Sequence, residues 1–243
     1  MTQRVSTRRL AACWAVHFYT ATGAVAAFAS LHAIFAHDVA TAFWWLYVAV
    51  AVDASDGVLA RAADVKRHLP QFDGAKLDDI VDYLTFVLVP MVLLVETGML
   101  QGSFGIASAC LALLASAYRF CHADAKTADH YFTGFPSYWN IVALYLYVFA
   151  WSPGAAAALT FGLALLVFAP LRFLYPSRMA WMRASTVGLG LVWAVAVGAI
   201  LLSLPEAATA QQIAEVEHKA KELIDKAANG EDFGRLALQY SQA

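Results

Sequence analysis

Between residues 52 and 61 the chain reads "VDASDGVLAR", with Asp53 and Asp56 three residues apart and followed by Gly57, Ala60 and Arg61. A second acidic stretch, "GAKLDDIVDYL", carries Gly74, Asp78, Asp79 and Asp82. On a helix, Asp53, Asp56, Gly57 and Ala60 fall on nearly one face. Gly74, Asp78 and Asp82, at i, i+4 and i+8, fall on another, and Asp79 points elsewhere. Each stripe sets carboxylates beside residues with almost no side chain, where a bulky group can approach the backbone. Carboxylates offer hard oxygen ligands suited to Mg²⁺, Mn²⁺ or Ca²⁺.

Both stripes adjoin long apolar runs, "TAFWWLYVAVAV" before the first and "LTFVLVPMVLL" after the second. A charged Asp costs ~2.5–3.5 kcal/mol at the centre of a membrane span and less toward the interface. At half that cost, four of them total about 5–7 kcal/mol, comparable with the net stability of a domain. Divalent cations bound between the stripes would offset both the desolvation and the mutual repulsion. A proton relay or a purely structural cluster is the alternative reading of the same residues.

The elements that must position these groups follow from composition. The chain has 243 residues, 61% hydrophobic and 14% charged, against roughly 45–50% and 25% for ordinary soluble domains. The apolar runs are continuous and approach the ~20 residues that cross hydrocarbon as helix, which disfavours a transmembrane barrel. The expected fold is all-α, a polytopic bundle with spans near 11–36, 39–61, 78–98, 103–121, 137–152, 155–174 and 184–204. An eighth, shorter span would reverse the side of the C-terminus. The first run lacks a small-residue cleavage pattern and is expected to be retained as a helix.

Arg4, Arg8, Arg9, Arg61, Lys66, Arg67, Lys76, Arg119, Lys126, Arg172, Arg178 and Arg183 then lie on one side, and the opposite connections hold no Lys or Arg. The positive-inside rule puts the basic side, with both acidic stripes, in the cytoplasm. Cys13, Cys110 and Cys121 form no CxxC pair and are expected to be free thiols. His17, His32 and His37 are expected to be packing or interface residues rather than ligands.

Taken together, D53-x2-D56-G57-x2-A60-R61 and G74-x3-D78-x3-D82 resemble the complete signature of the CDP-alcohol phosphotransferase family of integral membrane enzymes. Twelve residues, "AADVKRHLPQFD", separate Arg61 from Gly74, a longer interval than is commonest in the family. This loop, "LDDIVDYLTFVLVP" and "DHYFTGFPSYWN" resemble the bacterial phosphatidylcholine synthase branch, over roughly residues 10–204. The resemblance implies a CDP-diacylglycerol donor, choline as acceptor, release of CMP and dependence on Mn²⁺ or Mg²⁺. A homodimer is compatible with it, and no nucleic-acid partner is expected.

On that resemblance Asp53, Asp56, Asp78 and Asp82 would hold a cluster of two ions, with Asp82 also deprotonating or positioning the attacking hydroxyl. Asp56, Gly57, Ala60, Arg61 and Gly74 would receive the nucleotide end of the donor. Arg119 and Lys126 are candidates for a lipid phosphate, against a reading as snorkelling interfacial side chains. Tyr83, Tyr131, Phe132, Tyr138 and Trp139 are candidates for a cation–π choline pocket, although interfacial aromatics usually form a belt. Serine, glycerol phosphate or inositol phosphate as acceptor is the alternative within the class. A metal- or proton-coupled transporter is the alternative outside it.

After Pro205 the composition turns polar and charged, with Ile213, Val216, Ala220, Leu223 and Ile224 at helical spacing. Residues 205–243 are expected to form a soluble helical appendage apart from the membrane domain, 1–204. About thirty residues of it resemble the opening helices of parvulin-type prolyl isomerases, too few to imply isomerase activity.

Overall fold

The computed structural model describes residues 6–122, 131–169, 171–174, 183–204 and 221, with the backbone alone at 131–133, 172–174 and 183–184. The chain divides into two units, Met1–Pro205 and Glu206–Ala243. The architecture below is that of the first.

Helix α1 (Thr7–Phe35) starts at Ser6, whose hydroxyl accepts the Arg9 amide. It turns at His37 into α2 (Val39–Ala62), capped by Asp38 accepting the Thr41 amide at 2.9 Å. The two form a close antiparallel pair because α1 presents Gly23, Ala26, Ala27, Ser30 and Ala33 to the interior. Small side chains let helix backbones approach where lipid supplies no hydrophobic drive between them. Ser30 Oγ completes the seam by donating to Ala42 O at 2.9 Å.

The interval between the acidic stripes is not a plain loop. Asp64 takes a positive φ of 48° and opens a one-turn helix, α3 (Val65–His68). Val65 and Leu69 bury themselves with Cys13 in a small satellite core, joined at its margin by Ala60 and Phe72. Asp73 then caps α4 (Gly74–Asp82) by accepting the Lys76 amide at 3.1 Å.

Helix α4 continues through a π turn at Tyr83–Leu88 into α5 (Val89–Glu96). Pro90 has no amide to return to the Phe86 carbonyl, and the helix widens just ahead of it, the Val89 amide reaching Leu84 O. From Gly74 to Glu96 the run is about 35 Å at 1.5 Å per residue, enough to cross hydrocarbon.

Helix α6 (Gly102–Phe120) returns to the side of the acidic stripes. There Tyr131–Thr133 (β1) pairs antiparallel with Arg172–Leu174 (β2), closing the base of a hairpin made of α7 (Trp139–Val148) and α8 (Pro153–Leu166). Gly134, with φ of 81°, sits where any Cβ would strike the Val167 carbonyl. Helix α9 (Arg183–Ser203) rests on α2, where Tyr47 Oη donates to Ala194 O at 3.1 Å.

Among the described residues α1, α2, α6 and residues 185–203 of α9 are each long and apolar enough to cross a membrane. Phe18, Phe28, Leu114, Leu189 and Val195 point outward and are exposed, as on a surface meant for lipid rather than water. The molecule is a polytopic membrane helical bundle. Two of the expected spans come out differently. In place of 137–152 and 155–174 stand α7 and α8, about 15 and 21 Å long, each short of a ~30 Å core on its own. The two-stranded ladder was not legible in the sequence either. Its pairing joins segments some forty residues apart, and no alternating pattern marks it.

Candidate active site

Helices α1, α2 and α4 meet where the two acidic stripes lie. One carboxylate oxygen from each of Asp53, Asp78 and Asp82 comes within 4.8 Å of the others, all three side chains being half-buried. Two of them sit one turn apart on α4, and the third crosses from α2. Asp79, between them in sequence, lies outside this group. Three carboxylates at such range repel one another, and a bound hard cation is the arrangement's natural complement. The oxygen-only donor set fits Mg²⁺ or Mn²⁺ rather than a soft metal.

Asp56 is placed differently from its stripe-mates. It is 7% exposed, and its Oδ2 accepts the Thr20 hydroxyl of α1 at 2.9 Å. The expected four-carboxylate set thus divides into three that converge and a fourth anchored to the neighbouring helix, one turn along from Asp53. Thr20 is not legible as a site residue in the sequence, because its pairing with Asp56 spans helices. Its only local signal is a hydroxyl at a buried i, i+3, i+7 position (Thr20, Gly23, Ala27) of an apolar helix.

The small residues of the motif are in close use. A Cβ on Gly57 would lie 3.2 Å from an Arg61 guanidinium nitrogen, so the exposed Arg61 side chain folds back over the glycine. Ala60 faces the satellite core. A Cβ on Gly74 would come within 2.5 Å of His17 Cε1, and the His17 ring occupies the space that the glycine leaves. His17 is 6% exposed and stands 4.3 Å, centroid to centroid, from Phe72 and 6.2 Å from Trp14. Its packing role was expected; its Nε2 is buried without a hydrogen-bond partner among the described residues, which was not. His32 and His37 are exposed.

The aromatic candidates separate. Trp139 is fully buried, its indole N–H donates to Ser116 Oγ at 2.8 Å, and Phe135 packs on it edge-on. Its ring is packed within the core and its N–H already has a partner. Tyr83, just past Asp82, is half-buried, with its hydroxyl donating to Leu113 O at 3.2 Å and its ring edge-on to Phe120. Tyr138 is half-buried beside Phe86, 6.1 Å away, on the π turn that follows Asp82. Tyr131 and Phe132 are described by backbone alone, as β1, and Lys126 lies outside the described residues. Arg119 is half-buried in the last turn of α6.

Residues 15–169 match the family model described as CDP-alcohol phosphatidyltransferase. The chain belongs to that family. It is 44% identical over 177 residues to the phosphatidylcholine synthase of Legionella pneumophila, covering 72% of this chain and 69% of that one. The phosphatidylcholine synthase of Legionella bozemanae is 40% identical over 183 residues, 72% of this chain and 84% of that one. That of Pseudomonas aeruginosa is 35% identical over 195 residues, 80% and 82% of the two chains. As a CDP-alcohol phosphatidyltransferase this protein is a membrane transferase, which removes the transporter reading of its intramembrane carboxylates. The match spans α1 to α8 and so includes every residue of the Asp53–Asp82 constellation.

Proposed function

We propose that this chain is a phosphatidylcholine synthase, transferring the phosphatidyl group of CDP-diacylglycerol to choline and releasing CMP. The observation that carries the reading is the convergence of Asp53, Asp78 and Asp82 within 4.8 Å at the ends of apolar helices. Its acceptor is argued from the relatives named above and from the chemistry of choline.

Asp53, Asp78 and Asp82 would hold a divalent ion, Mg²⁺ or Mn²⁺, with Asp56 available to a second ion once the Thr20 hydroxyl has oriented it. Bound there, such ions neutralise phosphate oxygens and ease the departure of CMP. Arg61, exposed over Gly57, donates to a nucleotide phosphate as a charge-assisted partner. Asp82, nearest the bilayer interior on its stripe, accepts the choline hydroxyl proton as the choline oxygen attacks the phosphatidyl phosphorus. One phosphorus–oxygen bond forms, and the bond to the CMP phosphate breaks. Gly74 marks the loop end of α4 and Tyr83 the membrane end. The nucleotide therefore leaves toward water while the acyl chains stay in lipid.

The basic residues beside the site support a cytoplasmic position for this face under the positive-inside rule, and the membrane would be a bacterial inner membrane. Choline has a fixed positive charge and no N–H donors, so aromatic faces and diffuse negative charge suit it. Tyr83, next to Asp82 in the chain, and Tyr138, against Phe86 one turn further on, would supply such faces. Serine would need paired partners for both its carboxylate and its ammonium.

The test is purified protein in detergent with CDP-diacylglycerol, Mn²⁺ and each alcohol in turn. Phosphatidylcholine and CMP in equal amounts are expected with choline. A phosphatidylserine product without phosphatidylcholine would overturn the acceptor assignment. Absence of CMP release with every alcohol would overturn the reaction.

A further inference from the structure

The imidazole of His17 carries a buried nitrogen with no hydrogen-bond partner among the described residues. Nε2 of His17 and Oγ of Ser137 are the two buried side-chain hydrogen-bonding atoms without a partner among the described residues. Packing alone does not call for histidine here. Trp14 and Phe72 around it are apolar, and a phenyl ring would fill the space over Gly74 without burying an unsatisfied nitrogen. Buried polar groups in folded proteins are nearly always paired, so an orphan beside a substrate site invites a ligand as its partner.

The position says which ligand. His17 and Thr20 are i and i+3 on one face of α1. Thr20 reaches Asp56, and His17 lies one turn closer to the loop, against Gly74. Gly74 in turn stands one turn before Asp78 on α4. The imidazole is therefore at the water end of the carboxylate group, opposite the Tyr83 end. Resting on the reaction proposed above, that is the end through which the nucleotide enters and leaves. The acyl chains and choline, on the same proposal, belong to the Tyr83 end.

We infer that His17 is a donor-binding residue whose Nε2 hydrogen-bonds the cytidine-nucleotide portion of CDP-diacylglycerol. The Phe72 ring covers the imidazole from the inter-stripe loop at 4.3 Å and turns aside to admit the nucleotide. Gly74 is then required for the room that seats the imidazole.

CMP titrated into the purified protein in detergent with Mn²⁺ tests this, alongside KM values for both substrates. His17→Phe keeps a ring against Phe72 and removes the nitrogen. It should weaken CMP binding about tenfold and raise the donor KM comparably, leaving the choline KM unchanged. His17→Gln, which retains a hydrogen-bonding group, should stay within about threefold of wild type. CMP affinity in His17→Phe equal to wild type would overturn the inference. So would an equal loss in both variants accompanied by an equal fall in Tm, the signature of a packing residue. Should His17→Phe not fold, the ¹⁵N signal of the His17 imidazole in the wild-type protein decides. Movement on CMP addition supports the bond, and an unmoved signal refutes it. A wild-type protein that neither binds CMP nor releases it from CDP-diacylglycerol overturns the reaction itself, whereas an active wild type with an indifferent His17→Phe overturns only the role of His17.

Discussion

Thr20 on α1 donates its hydroxyl to Asp56 on α2 at 2.9 Å, and Asp56 is nearly buried while doing so. The carboxylate most deeply placed in the motif is thus held by the helix that contributes no acidic residue. A ligand oriented by a neighbour's hydrogen bond is a recurrent device of metal sites, where losing the outer partner typically costs 10–100-fold in affinity or activity.

Thr20→Val should therefore lower turnover by about 10–100-fold at limiting Mn²⁺ and partly recover at high Mn²⁺. Thr20→Ser keeps the hydroxyl and should remain near wild type. A Mn²⁺ activation curve for each variant measures the effect. Identical curves for Thr20→Val and wild type would leave Asp56 oriented by something else.

The three converging carboxylates should conflict with metal-free stability. Asp53→Asn, Asp78→Asn and Asp82→Asn each remove one of three like charges within 4.8 Å. In chelator their Tm should equal or exceed that of wild type, because mutual repulsion is relieved. The rise in Tm that Mn²⁺ produces in the wild type should shrink or vanish, and turnover should be abolished. A variant that keeps the full metal-induced shift has lost no ligand.

Trp139→Phe separates a core role from a choline cage. The substitution removes the indole bond to Ser116 and should cost about 1 kcal/mol, read as a lower Tm in detergent. The choline KM should not change. A raised choline KM at unchanged Tm would return Trp139 to the acceptor pocket.

Gly23→Ala should be more damaging than its size suggests. A Cβ there would stand 2.5 Å from Val81 Cγ1, and Val81 lies on α4 between Asp78 and Asp82. Overpacking of this kind costs typically 1–3 kcal/mol, and the displaced helix would carry the carboxylates with it. Loss of both Tm and turnover is expected. Gly23→Ala together with Val81→Ala should recover much of each.

Deleting residues 206–243 should leave catalysis near wild type. Every residue of the constellation precedes them, and they form a unit apart from Met1–Pro205. Turnover per inserted molecule, compared between full-length and shortened protein, measures this. An inactive but normally inserted protein would give the tail a part in the reaction.

Much of this protein is written in local spacing. The stripes Asp53–Asp56–Gly57–Ala60 and Gly74–Asp78–Asp82 follow from 3.6 residues per turn, and the one-sided Lys and Arg follow from the cost of moving charge through lipid. Both are properties of single helices and need no partner to be deduced. How one helix is rotated against the next is another matter, set by which small residues let backbones close together. Gly23 against Val81 and Gly74 against His17 turn α1 and α4 so that Asp53, Asp78 and Asp82 converge while Asp56 is drawn to Thr20. Trp139 resembles an interfacial aromatic by its neighbours in the chain, yet the tertiary fold offers its N–H a hydroxyl inside the core. The same holds for the ladder of β1 and β2, whose strands find each other only because α7 and α8 turn back as a short hairpin. Spacing along a helix chose the chemistry; contacts between helices chose which side chains carry it, because rotation about a helix axis depends on what is packed against it.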